Sequence, residues 1–105
     1  QFDVGIVPLE ASAFNEAKSA LKLMELAAVG VPAIASPTSE NLRMHGEGLG
    51  LIARNPREWE GMVKRLVLDE GHRAEMSWKG REVMERWTIE ANIERWWEAW
   101  ETVLR

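Results

Sequence analysis

Residues 4–36 read VGIVPLEASAFNEAKSALKLMELAAVGVPAIAS, and the order of residue types along them sets the fold class. Residues 4–9 are short, apolar and rich in branched side chains, and Pro8 closes the run; such a segment suits a strand buried in a parallel sheet. Residues 10–18 are small and polar and predict a loop. Over 19–29 nearly every residue is apolar or Ala, and Gly30 follows where a left-handed cap ends a helix, which predicts a helix buried on most sides. Residues 31–36 predict a second buried strand, with Pro32 at its start, where a missing N–H is tolerated. Strand, loop, helix and strand make a βαβ unit, so the chain is expected to be α/β.

Further along, Gly46, Gly48 and Gly50 punctuate the stretch after Glu40, and residues 49–53 predict a third short strand. At Asn55 the pattern turns helical. Asn55 can cap, Pro56 stands at the first helical position, and Trp59, Met62, Val63, Leu66 and Val67 recur at helical spacing. Residues 69–71 are expected to break that helix, 72–87 to form a second, and Thr88 to cap a last one bearing Ile89, Ile93, Trp96, Trp100 and Val103. No internal repeat or low-complexity segment interrupts the order.

Composition bounds the function. The 105 residues suffice for one domain or a piece of one. At 46% hydrophobic and 29% charged they match ordinary globular protein. A formal charge of −4 argues against nonspecific nucleic-acid binding, so an anionic ligand must be captured locally. The absence of cysteine excludes disulfides, thiolate metal sites and a cysteine nucleophile. No apolar run reaches the roughly 20 residues of a membrane helix and no charged leader precedes an apolar segment, which reads as a cytoplasmic chain. The passage from Gln1 almost directly into an apolar run reads as the start of a fragment.

The only polar side chains in the predicted helix 19–29 are Ser19, Lys22 and Glu25, each three residues after the last, so they form one stripe that must face water or a ligand. One reading is a Lys22–Glu25 ion pair worth a few tenths of a kcal/mol. The other follows from position. This helix comes after a strand and a loop, and in open parallel sheets ligands sit outside the carboxyl ends of the strands. Free amides near Ser19, Ala20 and Leu21 would face an anion, and the helix dipole favours phosphate there. A carboxylate at Glu25 could then accept two hydrogen bonds from the vicinal hydroxyls of a ribose.

These residues carry a family resemblance. Asp3-Val4-Gly5-Ile6-Val7-Pro8-Leu9, Phe14-Asn15, Lys18-Ser19, Leu21-Lys22, Glu25-Leu26-Ala27-Ala28, Gly30-Val31-Pro32 and Ala35-Ser36 resemble the signature region of retaining GT-B glycosyltransferases of family 4. His45-Gly46, Gly48-Leu49, Trp59, Asp69, Arg73, Gly80-Arg81 and Thr88 continue in that family's order, so the likeness spans essentially the whole chain. It implies a single partial domain over 1–105: the C-terminal part of a Rossmann-like nucleotide-sugar-binding domain, a small parallel sheet of about three strands with flanking helices and a helical C-terminal run. It further implies a donor nucleotide-sugar, UDP-, GDP- or ADP-linked, held at Lys18, Ser19, Ala20, Leu21 and Lys22 for the diphosphate and at Glu25 for the ribose. Asn15 and Glu16 would stand near the donor sugar. The family's first glutamate, eight positions before Glu25, is here Ala17, and Glu16 is one position off. The acceptor side and its catalytic residue belong to an N-terminal domain outside these residues, so no catalytic residue is assigned and the chain alone is expected not to transfer sugar.

Other residues say less. His45 is read as a lone loop histidine and His72, near a helix start, as solvated. No histidine–carboxylate spacing suits a metal, and no cofactor is expected. Carboxylates such as Glu58, Glu75 and Glu94 alternate with Lys and Arg on solvated helix faces. Of six tryptophans, Trp96 and Trp100 share the stripe of Ile93 and are expected in the core, with Trp97 off it and in need of another partner. An aromatic surface left bare there predicts a homodimer or concentration-dependent oligomer. Two rival readings remain open: a nucleotide-sugar epimerase or glycosyl phosphorylase with a similar donor half, and a noncatalytic interaction module using the Trp-rich helix.

Overall fold

The structure is a computed structural model that describes residues 3–104. The elements run β1 (Gly5–Val7), α1 (Ala13–Glu16), α2 (Leu21–Ala28), β2 (Ala33–Ala35), α3 (Ser39–Gly46), β3 (Leu51–Ile52), α4 (Pro56–Leu68), α5 (Glu70–Glu85) and α6 (Ile89–Leu104). The strands form one parallel sheet in the order β1-β2-β3, with Gly5 opposite Ala33 and Ile34 opposite Leu51. Parallel neighbours need a crossover between them. The α1–α2 segment supplies the first and α3 the second.

Alternation along the strands sorts the core into two layers. Ala33, Ala35 and Ile52 point to one face and meet Leu23, Ala27, Met44, Leu49 and Val83, so α2, α3 and α5 lie on that side. Ile34 and Ala53 point to the other and meet Leu66, flanked by Trp59, Met62 and Val63 of α4. β2 is buried on both faces, which is why it reads as a continuous apolar run. The expected α/β architecture of three short parallel strands with flanking helices is the one observed.

Several local expectations need correction. α2 is buried on one face only: Ala20, Leu23 and Ala27 meet the sheet, while Leu21 and Val29 are exposed. The sheet and α5 cover that face and no described element covers the other; apolar composition does not report how many neighbours exist. The end of α2 is as Gly30 predicts. Gly30 has φ +76°. Its N–H donates to the Ala27 carbonyl at 3.0 Å, and the Val31 N–H reaches back to Leu26 at 2.9 Å. These are the paired bonds of a Schellman cap.

The residues between the first strand and α2 are not all loop, because Ser12 caps the short α1 by accepting from the Asn15 N–H at 3.1 Å. Nor does the glycine-rich stretch begin at Glu40. Thr38 caps α3 by accepting from the Asn41 N–H at 3.2 Å, and the helix runs to Gly46. His45 therefore sits on a helix, its Nδ1 2.9 Å from the Gly50 carbonyl oxygen. Asp69 alone separates α4 from α5, accepting from the His72 N–H at 2.9 Å, and Gly71 lies inside α5. Arg73 closes the preceding helix by donating from Nη1 to the carbonyls of Leu66 (2.7 Å) and Val67 (2.9 Å). His72 is half-buried, not solvated; its Nε2 is shielded and, among the described residues, has no hydrogen-bond partner.

The largest departure is α6. Thr88 caps it as expected, accepting from the Ala91 N–H at 3.1 Å. Yet α6 contributes no buried residue: Trp96, Trp97 and Trp100 are 56%, 57% and 53% exposed. Its stripe has the period of a core face, but no described element lies over it. Trp96 and Trp100 rest on one another, ring centroids 6.2 Å apart. Among the described residues no helix is long and apolar enough to cross a membrane.

Candidate functional site

In a sheet of parallel strands the carboxyl ends share one edge, and here that edge is braced by polar groups. The Leu9 N–H, just beyond β1, donates to Ser36 Oγ at 2.7 Å, which ties the ends of β1 and β2 together. Asn41 Nδ2 donates to the Ser36 carbonyl at 3.0 Å. Ser36, Thr38 and Asn41 are buried, and each finds a partner, as buried polar groups must.

α1 lies across this edge. Asn15 Nδ2 donates to the Glu10 carbonyl at 2.7 Å. The Glu16 carboxylate accepts from the Ser39 N–H at 2.8 Å and from the Ser39 hydroxyl. A negative charge there also complements the N-terminal dipole of α3. The bond from the Ser39 hydroxyl, followed by that from its backbone N–H, holds the Glu16 carboxyl below the usual glutamate range.

That shift has a definite sign. A carboxyl depressed in the folded state contributes stability that is present above its unfolded pKa and is lost as pH falls through the folded value. Acidification is therefore expected to release Glu16 from Ser39 only below the ordinary glutamate range. In Ser39→Ala the Glu16 midpoint, followed by carboxyl-carbon NMR, should rise towards the ordinary value without reaching it, since the backbone bond survives. An unchanged midpoint would mean that the hydroxyl does not hold this carboxylate.

Between α1 and the strand ends is a cleft of about 70 Å³ lined by Leu9, Ser12, Asn15, Glu16, Ser36 and Thr38 among others. Pockets that hold small molecules measure about 300–1,000 Å³, so the cleft takes part of a ligand at most. The larger hollows, about 530 Å³ beside Trp87 and Trp96 and about 400 Å³ beside Trp97 and Trp100, share no residue with it.

The start of α2 differs from the other helix starts. Ser12, Thr38, Asn55, Asp69 and Thr88 each place a side-chain acceptor on the first turn of the helix that follows. The residue before α2 is Ala20, which has no acceptor and buries its methyl in the core. The amides of Leu21 and Lys22 therefore open α2 without a capping side chain, in the crossover that leaves the carboxyl end of β1.

Around that turn the expected residues lie as follows. Ser19, Leu21, Lys22 and Glu25 are exposed. Lys18 Nζ lies 5.0 Å from the centroid of the Phe14 ring, and its backbone N–H donates to Asn15. Lys22 Nζ is 3.6 Å from Glu25 Oε2, with 79% and 54% of the two side chains exposed. The ion pair read from the i, i+3 spacing is thus present, but such exposed pairs are worth roughly 0.2–0.5 kcal/mol and yield readily to a ligand. Asn15 and Glu16 line the cleft; Lys18, Ser19, Ala20, Leu21, Lys22 and Glu25 do not. Glu16 is occupied by Ser39, so any ligand hydroxyl reaching it would compete with a hydroxyl already bound.

Sequence reasoning missed the bracing residues Ser36, Thr38, Ser39 and Asn41. A signal was available: Thr38 three positions before Asn41, directly after Pro37, is a cap pattern. Among the described residues no group of three or more His, Asp or Glu is placed to hold a metal ion. Comparison of the chain with protein-family models, with curated proteins and with solved structures finds no match.

Proposed function

We propose that the chain is the donor-binding part of a retaining glycosyltransferase of the GT-B type, holding a nucleotide diphosphate-sugar at the start of α2. The observation that carries the reading is the uncapped first turn of α2 beyond the carboxyl end of β1, with Lys18 shortly before that turn in the chain, Lys22 in it and Glu25 further along the same helix. A diphosphate oxygen would take the place that a Ser, Thr, Asp or Asn takes at the other helices. In transfer, the bond from the sugar's anomeric carbon to the diphosphate breaks and its electron pair leaves on the diphosphate oxygen. Preorganised amides and a nearby ammonium stabilise that growing charge without reorganising.

The cleft at Asn15 and Glu16 would take at most the sugar end of the donor, and a second domain of the parent protein would supply the remainder of the site. On this reading the chain alone binds nucleotide weakly and transfers no sugar. Titration calorimetry with UDP, GDP and ADP, each with and without its sugar, tests it. One nucleotide should bind, and Glu25→Ala should weaken it about 10- to 100-fold, the size of hydrogen bonds to a charged acceptor. Binding that is indifferent to Glu25→Ala removes the ribose assignment; no binding by any of the three removes the donor-site reading for this chain. A second reading, a noncatalytic interaction module, is favoured by the bare aromatic face of α6 and would leave α2 without a ligand.

A further inference from the structure

We propose that α6 is a self-pairing helix: two copies of this chain join through it, antiparallel, along the seam Ile89, Ile93, Trp96, Trp100 and Val103. Those positions alternate spacings of four and three residues, the repeat that keeps one apolar seam facing a partner helix. Trp97 and Leu104 flank the seam on one side and Asn92 and Ala99 on the other. The charged residues Glu94, Arg95, Glu98 and Glu101 fall away from it and Glu90 lies on the flank of Trp97, at the attached end, so the central turns of two copies meet without opposing like charges. None of the seam side chains is buried by the chain itself.

The exposed area suits one helix of the same kind. Large aromatic side chains carry about 150–250 Å² each, so the half-exposed tryptophans and four aliphatic residues of α6 offer an area on the order of 800 Å², near what one partner contributes to a specific interface. Two helices leave part of that face uncovered, which places the dimer among the weaker, micromolar interfaces.

The antiparallel sense follows from how α6 is attached. It joins the body at Ile89 and, at about 1.5 Å per residue, its 16 residues carry Leu104 roughly 24 Å away. A parallel pair would press the two bodies together beside Ile89; an antiparallel pair sets them at opposite ends and opposes the helix dipoles. A two-fold axis level with Glu98 then sets Ile93 against the partner's Val103 and Trp96 against the partner's Trp100, so seam residues meet seam residues.

Sedimentation equilibrium across a micromolar concentration series should show a monomer–dimer equilibrium, with tryptophan emission shifting to the blue as dimer forms. Trp96→Glu should weaken it about 30-fold or more, as loss of an interface anchor does, while far-ultraviolet circular dichroism and the unfolding midpoint of dilute protein stay unchanged because α6 holds no core residue. Orientation is read by oxidation of singly substituted chains, which start without cysteine: Ile93→Cys and Val103→Cys should cross-link when mixed and not when alone. A monomer at every concentration overturns the proposal and leaves the face to a different protein; cross-linking of Ile93→Cys with itself overturns the antiparallel arrangement. Neither result bears on nucleotide binding at α2, so this inference and the donor-site reading fail separately.

Discussion

Gly50→Ala is expected to destabilise the fold by about 3 kcal/mol, through two causes that act together. Gly50 sits at φ +61°, where a Cβ meets its own carbonyl oxygen and costs an L-residue roughly 1–2 kcal/mol. The added carbon would also stand 2.7 Å from Leu23 Cδ1 and 3.0 Å from the Ala33 carbonyl oxygen. Leu23 is fully buried and Ala33 belongs to the central strand, so neither gives way cheaply, and overpacking of that kind costs about 1–3 kcal/mol. A domain of this length has roughly 5–15 kcal/mol in all, so the change should lower the melting temperature by 10 °C or more. Gly30→Ala is the internal control. Gly30 shares the left-handed φ, but its new methyl would meet the guanidinium of Arg81, the far end of an exposed side chain that can swing aside. Its cost should stay at about 1 kcal/mol. Equal losses in urea unfolding of the two variants would show that Leu23 and the Ala33 carbonyl contribute nothing to the constraint at Gly50.

Leu66→Ala is expected to cost about 3 kcal/mol as well, for a different reason. Leu66 is the one fully buried side chain of α4, and with Ile34 and Ala53 it forms the buried centre of the layer on the far side of the sheet from α2. Truncation loses the transfer energy of its methyl groups and leaves a cavity, together about 2–5 kcal/mol. Leu68→Ala, two residues on at an exposed position, should change stability by no more than about 0.5 kcal/mol. Circular dichroism in a urea series measures both. Because Leu66 is separated from α2 by the sheet, the nucleotide affinity proposed for α2 should be unchanged in Leu66→Ala under native conditions. A loss of affinity that matched the loss of stability would mean that the two faces are not independent.

The site was legible in part. Gly30 announced the end of α2 because its left-handed cap depends on one residue and its nearest neighbours in the chain. Lys22 and Glu25 announced their ion pair for the same reason, since i, i+3 neighbours meet on any helix. The tie between Glu16 and Ser39 joins residues 23 positions apart, and that between Leu9 and Ser36 residues 27 apart. No local pattern encodes such pairs; they exist because β1 and β2 lie side by side. The missing cap at Ala20 was readable in the sequence, but its meaning depends on Ala20 being the residue that anchors the start of α2 in the core.

What residue order determined by itself is the α/β class, the three strands, the helices α2, α4, α5 and α6, and the caps at Gly30, Asn55 and Thr88. Each of these depends on the apolar period and on side chains within about four positions, so a single chain segment carries the information. Tertiary structure decided how many sides of each helix are covered. Residues 19–29 and the Trp stripe of α6 are both apolar enough for a core, yet α2 is buried on one face and α6 on none. Apolar periodicity states that a face has reason to leave water; only the arrangement of the other elements determines whether the chain itself provides something to cover it.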